Sequence, residues 1–250
     1  MIKVYFHRQF YDEYTSDPAA ESGRLEAIVE AVEPIAEIIE CQPATEEDLR
    51  AVHSRQHIEH VRRQGLYEIS ALAAGGAVQA ALSALETPSF ALIRPPGHHA
   101  SASSCWGFCY FNNMAVSLYH LKQKNLIERA FVLDFDLHFG DGNVNIMEHD
   151  TWVEILNPES RGREAYLAEV RSRLAATQAD MIAVSAGFDH HINDWGGLLY
   201  TDDYRTMGSW VRETARRNGG GCFGLLEGGY NHSVLGENVR AFLEGLLQIG

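Results

Sequence analysis

Six apolar, β-rich runs punctuate the chain: 3–7 (KVYFH), 90–94 (FALIR), 130–136 (AFVLDFD), 152–156 (WVEIL), 181–187 (MIAVSAG) and 222–229 (CFGLLEGG). Each predicts a strand. Between them, helical patterns run over 23–40, 55–64, 68–86, 110–123, 164–177, 203–217 and 235–247. Near-continuous apolar strands alternating with amphipathic helices predict an α/β fold, a mostly parallel sheet covered by helices on both faces. No repeat period and no low-complexity linker divides the sequence, so residues 1–250 are expected to form a single domain.

In an open parallel sheet, ligands bind beyond the carboxyl ends of the strands. Four runs are followed by ionisable or hydrogen-bonding groups: Arg94-Pro-Pro-Gly-His98-His99, then Asp134-Phe-Asp136-Leu-His138-Phe-Gly-Asp141, then Asp189, and last Tyr230. The beginnings of the strands carry few such groups. A catalytic rim is therefore expected at the four strand ends.

Composition narrows the class of protein. A hydrophobic fraction of 46% over 250 residues supports a substantial core. Twenty basic against 34 acidic residues, a formal charge of −14, argue against a nucleic-acid binder and suit attraction of cationic small molecules or basic peptides. Cys41, Cys105, Cys109 and Cys222 have neither zinc-finger spacing nor the density of a disulfide scaffold. With no signal-peptide core in MIKVYFHRQF and no apolar run near the roughly 20 residues of a membrane span, the chain is expected in the cytoplasm, with no membrane partner.

Within DFDLHFGDG, an extended backbone would put Asp134, Asp136 and His138 on one face. Asp136 and His138, joined by Asp189 from a neighbouring strand end, make three ligands and leave an open position, the pattern of a catalytic zinc site. The Asp-x-His pair alone fits a salt-bridged turn equally well; Asp189 favours the metal. Water activated on a cation needs a base and an oxyanion donor. The stiff Pro95-Pro96 turn presents His98 and His99 as candidates, and a carboxylate on the far nitrogen would orient each. Asp134 is paired with His98, and Asp141 with His99. Tyr230, after Gly228-Gly229, offers a hydroxyl for the oxyanion.

These residues resemble the histone deacetylase and acetylpolyamine amidohydrolase family of the arginase-deacetylase fold. SGRLEAIVEAV, VHSRQHIEHV, RPPGHHA, GFCYFNN, DFDLHFGDG, SAGFD and LEGGYN follow in the family's order. The resemblance implies a single zinc ion on Asp136, His138 and Asp189. It makes His99 the general base and then acid, His98 its electrostatic partner, and Tyr230 the group that polarises the scissile carbonyl. Gly107 and Phe108 would border an acyl-lysine tunnel. Arg24 matches an arginine placed beside an internal channel and is grouped with the substrate-binding residues. A small acylated amine or an acyl-lysine is the implied substrate, and acetate and an amine are the implied products.

Several positions depart from the family pattern. Phe139 replaces a second histidine and is expected to dry the wall of the site. Trp195 stands where the family carries Pro-Leu and alters the rim beside Asp189. The rim loop that bears an acidic residue in many relatives is missing after VHSRQHIEHVRR. A structural potassium ion near Asp134 and Asp136 would lack its usual serine, since Ile155 falls there. Gly140 and His191 occupy the places of further aspartates in arginase, so one metal is expected. A competing reading is a non-hydrolytic protein that keeps the metal pocket to bind an acyl or carboxylate ligand.

Overall fold

A computed structural model describes residues 1–248. Seven strands form one sheet: β1 (Ile2–Phe6), β2 (Ala36–Glu40), β3 (Ser89–Ala91), β4 (Ala130–Asp134), β5 (Val153–Leu156), β6 (Met181–Ala186) and β7 (Gly221–Leu226). Their order is β2-β1-β3-β7-β6-β4-β5, and every neighbouring pair is parallel. The four chemistry-bearing runs are thus four adjacent strands, β3, β7, β6 and β4, each buried along its whole length. Continuous burial is why these segments read as unbroken apolar runs.

The edge strand β2 corrects the helix expected over 23–40. The helix there, α1 (Arg24–Val32), stops short of Pro34, whose ring disfavours helix in the residue before it. Ala36–Glu40 then extends beside β1, with three of its five residues exposed. Two short helices also lie outside the expected set, α2 (Glu46–Arg50) and α6 (Asp141–Met147). The first is held by a capping box from Thr45 and Asp48. The remaining helices are α3 (Arg55–Arg63), α4 (Tyr67–Ser83), α5 (Asn113–Gln123), α7 (Arg163–Ala176), α8 (Thr201–Arg217) and α9 (His232–Leu247). Helices α4 and α5 pack together as one group and α1, α7, α8 and α9 as another, giving the two layers around the sheet.

The GFCYFNN segment ties one of these layers to the rim. Asn112 Oδ1 accepts from Ala115 N at 2.8 Å and caps α5, while its Nδ2 donates to Ala100 O at 3.0 Å. Asn113 Nδ2 donates to Pro95 O at 3.0 Å. The segment 95–100 is therefore hung from the start of α5 as well as from the end of β3.

Candidate active site

The rim begins where β4 ends. Asp134 is the last residue of that strand, and the chain beyond it bends, contrary to the extended geometry expected for DFDLH. Successive carboxylates accept amides two residues on: Asp136 N donates to Asp134 Oδ1 at 3.3 Å, and His138 N to Asp136 Oδ1 at 2.9 Å. Such side-chain turns replace strand pairing once the sheet ends. Phe135, fully buried and between the two aspartates in sequence, packs on Phe188, the residue before Asp189, with ring centroids 5.6 Å apart. Tyr166 and Tyr204 donate their hydroxyls to Phe135 O and Phe188 O at 3.4 and 3.2 Å. Each acidic loop is thus anchored by an aromatic plug whose burial contributes about 1.5–3 kcal/mol.

Asp136, His138 and Asp189 converge, with donor atoms of the three within 4.8 Å of one another. His138 Nδ1 lies 3.2 Å from both Asp136 Oδ1 and Asp189 Oδ2. The Asp189 oxygen is buried and takes no well-aligned hydrogen bond. Burial and the charge of Asp136 push Asp189 up to about 6, whereas His98 and the bonds from His138 and Gly228 overcome burial and hold Asp136 low. Hydrogen bonding to Asp136 and Asp189 pushes His138 up to about 10. Two buried carboxylates at this spacing attract positive charge, and two carboxylates with one imidazole are donors zinc accepts. The residues fit a single zinc ion. Backbone crowds the same spot: a Cβ on Gly187 would stand 2.0 Å from Asp136 Oδ2, and one on Gly228 would stand 2.5 Å from it and 2.7 Å from Asp189 Oδ2. Gly228 N also donates to Asp136 Oδ2 at 2.8 Å. Gly140 and His191 add no carboxylate to this cluster: a Cβ at Gly140 would already lie 2.0 Å from Asp134 Oδ2, and His191 Nδ1 accepts from Asn193 N.

The histidine pair sits beside this cluster. His98 Nδ1 is 3.2 Å from Asp134 Oδ2, and His99 Nδ1 is 2.6 Å from Asp141 Oδ1. The rings lie 4.0 Å apart. Burial would lower His98, but the charges of Asp136 and Asp134 outweigh it and push it well up. His99 is pushed down to about 4 by burial and by its charged neighbour. The two groups are therefore driven apart, one towards the cation and one towards the neutral base.

A cleft of about 420 Å³, counting space open to solvent, gives access to both histidines, His138 and Tyr230. Gly107 (φ +61°) turns the chain so that Phe108 lies edge-on to Tyr230 at 5.8 Å. Trp195, half exposed, stacks on the Tyr230 ring at 4.1 Å. Burial and the Asp136 charge raise the Tyr230 hydroxyl, so it stays protonated and able to donate. Arg24 lies below the cleft, not in its wall. Its guanidinium is 5.4 Å from the Tyr230 ring centroid, and it donates to Gly229 O at 2.8 Å and Glu227 O at 2.6 Å. Phe139 corrects another expectation: it is half exposed and lines no part of the cleft.

Two neighbours of the site escaped the sequence reading. Glu227, fully buried and pushed up to about 7 by that burial, accepts from Gly97 N at 2.6 Å, His98 N at 3.2 Å and Ser185 Oγ at 3.2 Å. Its signal was a carboxylate at the end of an apolar strand. Trp106 stacks on His99 at 3.8 Å and donates its Nε1 hydrogen to Asp141 Oδ2 at 2.8 Å. No spacing in the sequence announces that contact.

The fold has known counterparts. The model of the histone deacetylase domain matches residues 19–166 and 153–246, and the chain belongs to the histone deacetylase family. A probable deacetylase of Methanothermobacter thermautotrophicus is 31% identical, the match covering 97% of this chain and 90% of the relative. That alignment runs over 300 positions against 250 residues, so the relative carries segments this chain lacks. A histone deacetylase-like amidohydrolase of Pseudomonas aeruginosa is 29% identical across 77% of this chain and 66% of its own length. The crystal structure of the HDA15 HD domain shares the fold, with a TM-score of 0.83 over 99% of this chain and 90% of that one, at 22% identity.

Proposed function

We propose that residues 1–250 act as one catalytic domain, a zinc-dependent amidohydrolase that removes acetyl or other acyl groups from small amines or exposed lysine side chains. The observation that carries this reading is the meeting of Asp136, His138 and Asp189, two buried carboxylates around one imidazole, beside a carboxylate-held histidine pair and a protonated tyrosine.

Zinc held by Asp136, His138 and Asp189 would supply Lewis acidity for the water and the acyl carbonyl. Around it, Phe108 and Trp195 flank the acyl group and exclude water. His99, neutral because its titration lies near 4, accepts a proton from water at Nε2 while Asp141 holds its Nδ1 hydrogen, and the water oxygen bonds to the acyl carbonyl carbon. Tyr230 donates its hydroxyl hydrogen to the carbonyl oxygen as negative charge gathers there. The C–N bond then breaks, His99 returns the proton to the departing amine, and the acyl group leaves as a carboxylate. His98, kept in place by Asp134 and by Glu227 at its backbone, lends positive character to the same space. The formal charge of −14 supports cationic amines as substrates, and four free cysteines support a reducing, cytoplasmic setting. No helix among the described residues is long and apolar enough to cross a membrane.

Purified protein is expected to release acetate from acetyl-lysine or acetylpolyamine probes and to lose that activity on chelation. Tyr230→Phe should lower kcat by roughly 10²–10³. Full turnover by metal-free protein would reject the mechanism; stabilisation by acyl ligands without turnover of any probe would favour a binding protein instead.

A further inference from the structure

The two histidine–carboxylate pairs are built differently. Asp134 is buried, and besides His98 its Oδ2 accepts from Asn143 Nδ2 at 3.0 Å, so the interior holds it. Asp141 opens helix α6 with a side chain 43% exposed, where water competes for both oxygens. A carboxylate in that position is a poor guide for an imidazole unless something fixes its plane.

Trp106 meets that need. Its indole N–H occupies Asp141 Oδ2 at 2.8 Å while His99 occupies Oδ1 at 2.6 Å, so both oxygens are committed and the plane is set. The same indole covers the face of His99 at 3.8 Å, with planes 32° apart, and shields the Nδ1–H···Oδ1 bond from solvent. Gly107, next in sequence, places Trp106 over His99 and Phe108 beside Tyr230. We propose that Trp106 is a positioning residue, an external clamp that fixes the Asp141–His99 pair and with it the His99 tautomer that leaves Nε2 free. The kinetic part of this proposal rests on the hydrolase reading; the structural part does not.

The two are separated by measuring both. In the purified protein, a His99 Nδ1 proton bonded to a carboxylate gives a downfield resonance, assigned by its loss in Asp141→Asn. Trp106→Phe keeps the ring but loses the N–H, and it should broaden or abolish that resonance, while Trp210→Phe, a substitution on α8, leaves it intact. In turnover, Trp106→Phe should lower kcat about tenfold with KM little changed, and Trp106→Ala should lower it further. A Trp106→Phe protein that keeps the resonance, or keeps kcat within about twofold of an active wild type, overturns the clamp. A wild type with no turnover overturns the hydrolase reading, and the resonance alone then decides the role of Trp106.

Discussion

Asp136 is confined from three sides: His138 N and Gly228 N donate to it, and the bare α-carbons of Gly187 and Gly228 leave it just enough room. A methyl group at Gly228 would press on Asp136 and Asp189 together. Gly228→Ala is therefore expected to weaken zinc binding by at least about tenfold, measured by competition with a chelating indicator, while the far-ultraviolet circular dichroism stays native. Unchanged zinc affinity would count against the proposed ligand set. At this scale the sequence was most informative where a residue's chemistry and its place after a strand coincided, as for Asp189 and Tyr230. It was silent where the partner comes from afar. Trp106 meets Asp141 across 35 positions, and Arg24 reaches Glu227 and Gly229 across 203 and 205, so no local pattern encodes either contact. These contacts join groups brought together only by the fold.

At the scale of elements, His53 links the turn before α3 to the rim. Its Nδ1 lies 3.0 Å from Ser101 O, and its Nε2 accepts from Asn112 N at 2.9 Å, so the buried ring is neutral with one defined tautomer. Burial pushes it down to about 3, from the usual value near 6.5. Below pH 6.5 the unfolded chain takes up a proton that the folded chain refuses. Stability should fall by about 1 kcal/mol per pH unit from this group as pH drops below 6.5. Urea titrations across that range should show a steeper decline for wild type than for His53→Asn; parallel curves would remove His53 from the account. The strands with continuous apolar sequence were all legible, and their ends gave the rim. The edge strand β2 was not, because exposed Glu37 and Glu40 beside Ile38 and Ile39 continue the mixed polar and apolar spacing of the helix that Pro34 ends. Helix α6 escaped because it is only seven residues long and begins inside the DFDLHFGDG motif.

On the scale of the whole molecule, the sheet is clasped by helices that approach closely. A Cβ on Gly245 of α9 would stand 2.1 Å from Arg205 O of α8. Gly245→Ala should destabilise the protein by about 1–3 kcal/mol, seen as a lower Tm, with zinc affinity preserved because the contact lies away from the rim. Loss of zinc affinity with Tm unchanged would contradict this division between scaffold and site. The parallel sheet and its two helical layers follow from the alternation of apolar runs and amphipathic segments, whereas the strand order does not, since crossovers leave no mark in the pattern.

That order has a consequence for synthesis. Among the described residues β7 is the last strand in sequence, yet it pairs with β3 on one side and β6 on the other. Until residues 221–226 emerge from the ribosome, the nascent polypeptide holds two separate ribbons with raw edges, β2-β1-β3 and β6-β4-β5. A chain cut before Gly221 is left with two open edges ready to pair with other molecules. It should clump, and no weakened enzyme should be recovered from it.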